Sequence, residues 1–341
     1  MTLKKVHIGI VAPSSKVPQV ELTIGVEKLI QEGFYVHVHP QCKKSHLFFA
    51  GTDQERAEAF YEYAQSPKID VVWCGRGGHG ALRVLPLLEE MTQRQGIPKK
   101  KLLIGYSDST GLMEYVRTRW GWSILHGPMP SLRKFSILPE ADWNALTAWI
   151  HQESYSASWL ETKLKFVGNS PHRSIKGPLI GGNLTVLNSL LATPFQPQLK
   201  NALLFLEDVD ESFYRIDRMI YHLRLAGYFQ GVKAVILGNF LNCKDTVGRV
   251  LKSKPNPRAL SRVLNSPSDD ELHPLRRQLK EKVAFNSIFG ELGDRLGIPI
   301  AYGLPVGHGP EVCSLPLGGE YDLSPQGRLK LKKWDWLKSQ K

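Results

Sequence analysis

The chain has 341 residues, 42% hydrophobic and 22% charged, which suffices for one large or two moderate domains with buried cores. Its formal net charge of +12 suits an anionic partner, but the excess gathers between Lys244 and Lys282 and in the tail from Arg328; such runs read as solvated surface and a frayed terminus, so no nucleic-acid partner is expected. Cys42, Cys74, Cys243 and Cys313 lack the spacing of a zinc site or disulfide framework, no apolar stretch nears the roughly 20 residues that span a bilayer, and the first residues lack a signal-peptide core; a cytoplasmic protein with reduced thiols, no metal and no membrane association is the expectation.

From Val6 to about Pro130 short apolar runs alternate with amphipathic segments, the pattern of a parallel sheet covered by helices. Val6 to Ala12 reads as the first strand. Leu22, Val26, Leu29 and Ile30 then predict a helical face that ends at Gly33. Phe34 to His39 is the next strand, and His37 and His39 are expected to alternate along it rather than to bind metal. Thr52 and Glu55 have capping-box spacing and open a helix through Tyr63. Val71 to Cys74 and Leu102 to Gly105 follow as buried strands.

The polar stretch from Ser131 to Lys176, with Trp143 and Trp149 on a helix, reads as a connection between units. A second unit starts near Gly177, with strands at Leu203 to Leu206, Val235 to Leu237 and Pro299 to Tyr302. Ile216, Met219, Ile220 and Leu223 predict a helix stopped by Gly227. Leu241 to Asn286, charged and interrupted by Pro255, Pro257, Pro267 and Pro274, reads as a long excursion with one or two short helices. The expected organisation is therefore residues 1–130, a connection over 131–176, and residues 177–330 with the excursion at 241–286.

Three places carry groups suited to chemistry. At Leu102 to Val116 an apolar strand enters a tight turn at Ser107 and then a helical pattern; such a junction lifts a hydroxyl from the sheet edge and aims helix N-terminal amides at it. Gly105-Tyr-Ser107-Asp-Ser109 lacks the second glycine of G-x-S-x-G, so a serine that merely caps the helix is the competing reading. Gly75-Arg-Gly-Gly-His-Gly80 formally matches a dinucleotide fingerprint. It follows a later strand than the first and has no acidic residue about 20 positions on, so its amides suit an oxyanion better than a pyrophosphate. Downstream, Glu207, Asp208 and Glu211 follow an apolar strand, and His308 sits in a glycine-rich turn after another. Serine, acid, histidine is a workable triad order.

Together with Ala12-Pro-Ser-Ser, His126-Gly-Pro-Met, Gly181-Gly-Asn-Leu and Tyr214-Arg-Ile-Asp-Arg-Met, these segments resemble the LD-carboxypeptidase family of serine peptidases from about Val6 to about Leu323. The resemblance implies an α/β fold: an N-terminal doubly wound parallel-sheet domain and a C-terminal domain of mixed β and α structure. It implies Ser107 as nucleophile, Glu207 rather than Asp208 or Glu211 as orienting acid, His308 as base, and an oxyanion hole from the backbone of Gly78 and Asp108. It further implies release of terminal D-alanine from murein tetrapeptides, no cofactor, and a homodimer. The sequence departs from the family in carrying His79 where a tyrosine is common, and in the length of the 241–286 excursion. Two other readings are the microcin-immunity peptidases, which hydrolyse an aminoacyl-adenylate and use a tryptophan absent from Leu241 to Phe289, and a non-catalytic nucleotide-binding module.

Overall fold

The computed structural model of the protein describes residues 5–153, 162–244, 274–309 and 313–337. In chain order the first part contains β1 (His7–Val11), α1 (Gln19–Gln31), β2 (Tyr35–Val38), α2 (Asp53–Gln65), β3 (Val71–Cys74), α3 (Ala81–Gln95), β4 (Leu102–Gly105), α4 (Thr110–Arg119) and β5 (Ser123–His126). Then come α5 (Arg133–Ser136), α6 (Glu140–Ile150), β6 (Lys165–Val167), β7 (Ile175–Asn183), α7 (Leu184–Ser189), β8 (Leu203–Val209), α8 (Phe213–Leu225) and β9 (Ala234–Leu241). The last elements are α9 (Pro274–Leu296), β10 (Ile300–Tyr302), β11 (Leu315–Leu317), β12 (Glu320–Leu323) and β13 (Leu329–Lys333).

These elements form two sheets, as expected of an α/β chain. The first is six-stranded in the order β11-β5-β4-β3-β1-β2. Its strands β1 to β5 are parallel, with the 2-1-3-4-5 order of a doubly wound fold, and β11 closes the edge antiparallel to β5. Buried runs such as Val71–Cys74 and Leu102–Gly105 suit this position, because helices cover both faces of a parallel sheet. The second sheet is seven-stranded and mixed, in the order β13-β12-β7-β8-β9-β10-β6, with β7 to β10 parallel at its centre.

Most of the expected elements stand where the apolar periodicity places them, and the Thr52–Glu55 capping box is formed at α2. Four readings need correction. Ile30 is 54% exposed while Leu29 is buried; neighbouring helical positions lie about 100° apart, so only one can centre the buried stripe. His39 lies beyond β2 and caps the following turn, whereas His37 stays on the strand with Nε2 3.0 Å from His7 Nδ1. The basic tail is not frayed throughout: Leu329–Lys333 is β13, with Leu329 and Trp334 buried and Lys330 and Lys332 outside.

The fourth concerns the excursion. Its residues 245–273 lie outside the described residues, but Pro274 begins a helix of 23 residues instead of interrupting a loop. Proline is favoured in a first helical turn, where its missing N–H is not needed. Phe289 and Leu292, with the half-buried Phe285, Ile288 and Leu296, give α9 an apolar stripe against the second core. Among its described residues the charged Lys282, Glu291, Asp294 and Arg295 are exposed, so here charge marks the outer face of a helix rather than a loop.

Candidate active site

Ser107 stands between β4 and α4, where the chain leaves the first sheet at its C-terminal edge. Its φ of +61° is in the left-handed region, which costs a non-glycine residue roughly 1–3 kcal/mol and persists where surrounding structure enforces it. That backbone is not one a helix cap adopts, and Ser107 lies two residues before the cap position of α4, where Ser109 makes no side-chain cap hydrogen bond, so the capping reading of Ser107 fails.

Glu207 lies within β8, not in a turn after it as the sequence suggests, and is fully buried. Asn183 is its register partner on β7. On the other side, β9 spends two residues, Gly238 and Asn239, opposite Glu207 alone, because the pairing passes from Leu206–Leu237 to Asp208–Phe240. Such a bulge kinks its strand. Asn239 N–H donates to Val306 O at 2.9 Å, fastening the loop that carries His308 to this kink.

The three groups meet. His308 Nδ1 is 2.6 Å from Glu207 Oε2, and His308 Nε2 is 3.0 Å from Ser107 Oγ. An ionised carboxylate only accepts, so Nδ1 carries the proton and Nε2 faces the hydroxyl as an acceptor. The His308 backbone N–H also donates to Glu207 Oε2, at 3.3 Å. Glu211, by contrast, pairs with Arg215 at 2.6 Å on the surface side. Asp208 accepts from Thr185 N–H and Oγ1–H at 3.0 and 2.8 Å.

The glycine turn lies alongside. A side-chain carbon built on Gly77 would stand 3.3 Å from Ser107 Cβ, so this turn passes directly over the hydroxyl. Ser15 latches it: Ser15 N–H donates to Gly77 O at 3.3 Å and Ser15 Oγ accepts from His79 N–H at 3.0 Å. Asp108 holds the far end, its Oδ2 accepting from Ala81 N–H at 2.8 Å. Among the described residues Gly78 N–H has no backbone partner.

The electrostatics follow from burial. Desolvation lowers the His308 pKa, but the hydrogen bond and charge of Glu207, joined by Asp208 and Asp210, outweigh it and hold the imidazole above its ordinary value. Burial, then the charge of Glu207, pushes Asp208 up to about 6. Burial pushes His126 down to about 4, keeping neutral a ring that packs edge-on to Phe205 and tilted against Tyr106. Tyr106 in turn lies against His308, 4.9 Å between ring centres. Among the described residues no three histidine, cysteine or acidic side chains cluster to hold a metal ion.

Two family models match the chain. That of the LD-carboxypeptidase N-terminal domain covers residues 8–127, and that of the LD-carboxypeptidase C-terminal domain covers residues 176–323. The chain belongs to the LD-carboxypeptidase family. It is accordingly a hydrolase of the peptidase class. The murein tetrapeptide carboxypeptidase of Pseudomonas aeruginosa is 27% identical to this member of the family over 316 residues, 92% of this chain and 91% of the relative. The microcin C7 self-immunity protein MccF of Escherichia coli is 27% identical over 255 residues, 67% of this chain and 72% of the relative. The crystal structure of muramoyltetrapeptide carboxypeptidase from Oxalobacter formigenes superposes with a TM-score of 0.70 at 27% identity, covering 95% of this chain and 97% of that one.

Sequence reasoning places Ser107, Glu207, His308, Gly78 and Asp108 in this region but leaves Asn183 without a role. Asn183 Oδ1 accepts from Val186 N–H at 3.1 Å, capping α7, and this orients its Nδ2 toward Glu207 Oε1 at 3.3 Å and Asp208 Oδ1 at 3.1 Å. An asparagine before an apolar helical run signals the cap. The second use depends on β8, which only the pairing of strands brings alongside.

Proposed function

We propose that the protein is a serine carboxypeptidase that hydrolyses the L-to-D peptide bond of murein tetrapeptides and releases the terminal D-alanine, in cytoplasmic peptidoglycan recycling. The observation that carries this reading is the hydrogen-bonded line Ser107–His308–Glu207 in a chain of this family. His308 Nε2 takes the Ser107 proton as Oγ attacks the scissile carbonyl, and Glu207 orients the imidazole and stabilises its cation. The backbone N–H groups of Gly78 and Asp108 receive the oxyanion. The C–N bond breaks as His308 protonates the leaving D-alanine amine, and water, deprotonated by His308, then releases the acyl group from Ser107. No cofactor takes part in this scheme.

The division into a nucleophile-bearing unit (1–130), a connection (131–176) and an acid- and histidine-bearing unit (177–330), acting as a homodimer, belongs to the same proposal. The test is incubation of the purified protein with murein tetrapeptides and with aminoacyl-adenylate analogues, scored by mass. Loss of D-alanine from the tetrapeptides is the expected result. Cleavage of the adenylates alone would assign the chain to the microcin-immunity activity instead.

A further inference from the structure

Arg56, on α2, is fully buried although it carries a charge and touches no member of the proposed triad. A cation removed from water is costly unless it is paired and hydrogen-bonded, so its partners reveal what it serves. Arg56 Nη2 pairs with Asp53, which Arg83 holds from outside at 2.7 Å. The guanidinium lies over the Phe49 ring, 4.7 Å from its centre. Nη1 donates to two backbone carbonyls, Pro13 O and, at 2.8 Å, Gly80 O.

Those carbonyls belong to the two loops that flank the candidate oxyanion site. Pro13 precedes the Ser15 latch, and Gly80 closes the glycine turn. Gly80 has a φ of +118°, and a side-chain carbon there would meet Phe49 at 2.6 Å and Arg56 Nη1 at 3.0 Å, so the turn rests directly on the guanidinium. With Ser15 on Gly77 O and His79 N–H, Arg56 on Gly80 O and Asp108 on Ala81 N–H, the turn is fastened on both sides of Gly78. A guanidinium fork can reach carbonyls and a carboxylate at once, whereas an ammonium is a single point.

We propose that Arg56 is a positioning residue for the reaction at Ser107: by holding Pro13 O and Gly80 O it sets the peptide planes of the glycine turn so that Gly78 N–H meets the oxyanion. This rests on the assignment of Gly78 as an oxyanion donor. Loss of a whole oxyanion donor costs about 10²–10³ in kcat. Arg56→Lys keeps the charge but cannot hold all three partners, so a fall of roughly tenfold is expected, with KM within about twofold. A buried residue that only stabilises the fold would lower the Tm without this split.

The experiment measures kcat and KM on a murein tetrapeptide, and inhibition by a peptide boronic acid that forms a tetrahedral adduct on Ser107, for native protein, Arg56→Lys and Asp53→Asn below their melting temperatures. The expected result is a kcat loss matched by an equal loss of boronate affinity in Arg56→Lys, and a smaller parallel loss in Asp53→Asn. Folded Arg56→Lys with native kcat overturns the proposal; if it does not fold, native kcat in Asp53→Asn does so. Ser107→Ala separates the two levels. An inactive Ser107→Ala beside an unaffected Arg56→Lys rejects only the role of Arg56, while an active Ser107→Ala rejects the site and this proposal with it.

Discussion

Gly307 packs against Glu207 so closely that a methyl group on it would stand 2.7 Å from Glu207 Oε2 and 2.9 Å from Glu207 Cβ. Its φ of +114° is also one that other residues avoid. The neighbour of His308 must therefore be glycine for the imidazole to reach the carboxylate. Gly307→Ala is expected to cost about 1–3 kcal/mol of stability through overpacking and strain, and to lower kcat far more than KM. Denaturant unfolding and steady-state kinetics on the same preparation measure both effects.

The pH profile should carry the signature of the His308–Glu207 pair. His308 works as a base only when neutral, and its pKa is held above the ordinary 6.5 by Glu207 against the opposing effect of burial. The acid limb of kcat/KM is therefore expected above pH 6.5. Glu207→Gln removes the charge and leaves the burial, so the limb should move to lower pH while the maximum rate drops. A limb that stays in place would separate Glu207 from the titrating group.

Asp208 makes a prediction about stability. Its pKa is raised from 3.8 to about 6, so between these values the native state binds more protons than the unfolded chain. The protonated side chain stabilises the fold at the acid end, and this contribution is lost as pH rises through about 6. Asp208→Asn, which does not titrate, should therefore show a flatter fall of unfolding free energy across this window. Urea unfolding at a series of pH values checks it.

The helix α9 can be tested as a packing element. Phe289 is fully buried, with Phe240 and Phe285 around it at ring-centre distances of 5.4 and 4.7 Å. Phe289→Ala should cost roughly 3–5 kcal/mol. The kcat per folded molecule should change little, since none of these rings touches Ser107, Glu207 or His308.

What could be read beforehand follows the range of the forces involved. Val71–Cys74, Leu102–Gly105 and the Thr52–Glu55 box are legible because apolar runs and caps are local patterns. The alternation of leucine and lysine from Leu329 is also local, yet its charges outweigh it in a reading by composition. The pairing of β11 with β5 joins Leu315 to His126, segments far apart in the chain, and nothing near Leu315 announces it. Asn183 and Arg56 are illegible for the same reason: their partners are a strand and two loops that only the folded sheets bring near. That Ser107, His308 and Glu207 come together is suggested by the family motifs, since taken singly they are a serine, a histidine and an acid at strand ends, whereas the extent of β8, which takes in Glu207, is not legible.

The central claim, that Ser107, His308 and Glu207 act as one unit, is tested most directly by D-alanine release from a murein tetrapeptide by Ser107→Ala, His308→Ala and their double variant. In a comparable serine peptidase loss of nucleophile or base costs on the order of 10⁶ in kcat, and joint loss costs little more. Here each single variant, folded as judged by circular dichroism, should fall by a comparable factor, and the double variant should fall no further. Substantial turnover by folded Ser107→Ala, or additive losses in the double variant, would contradict the account.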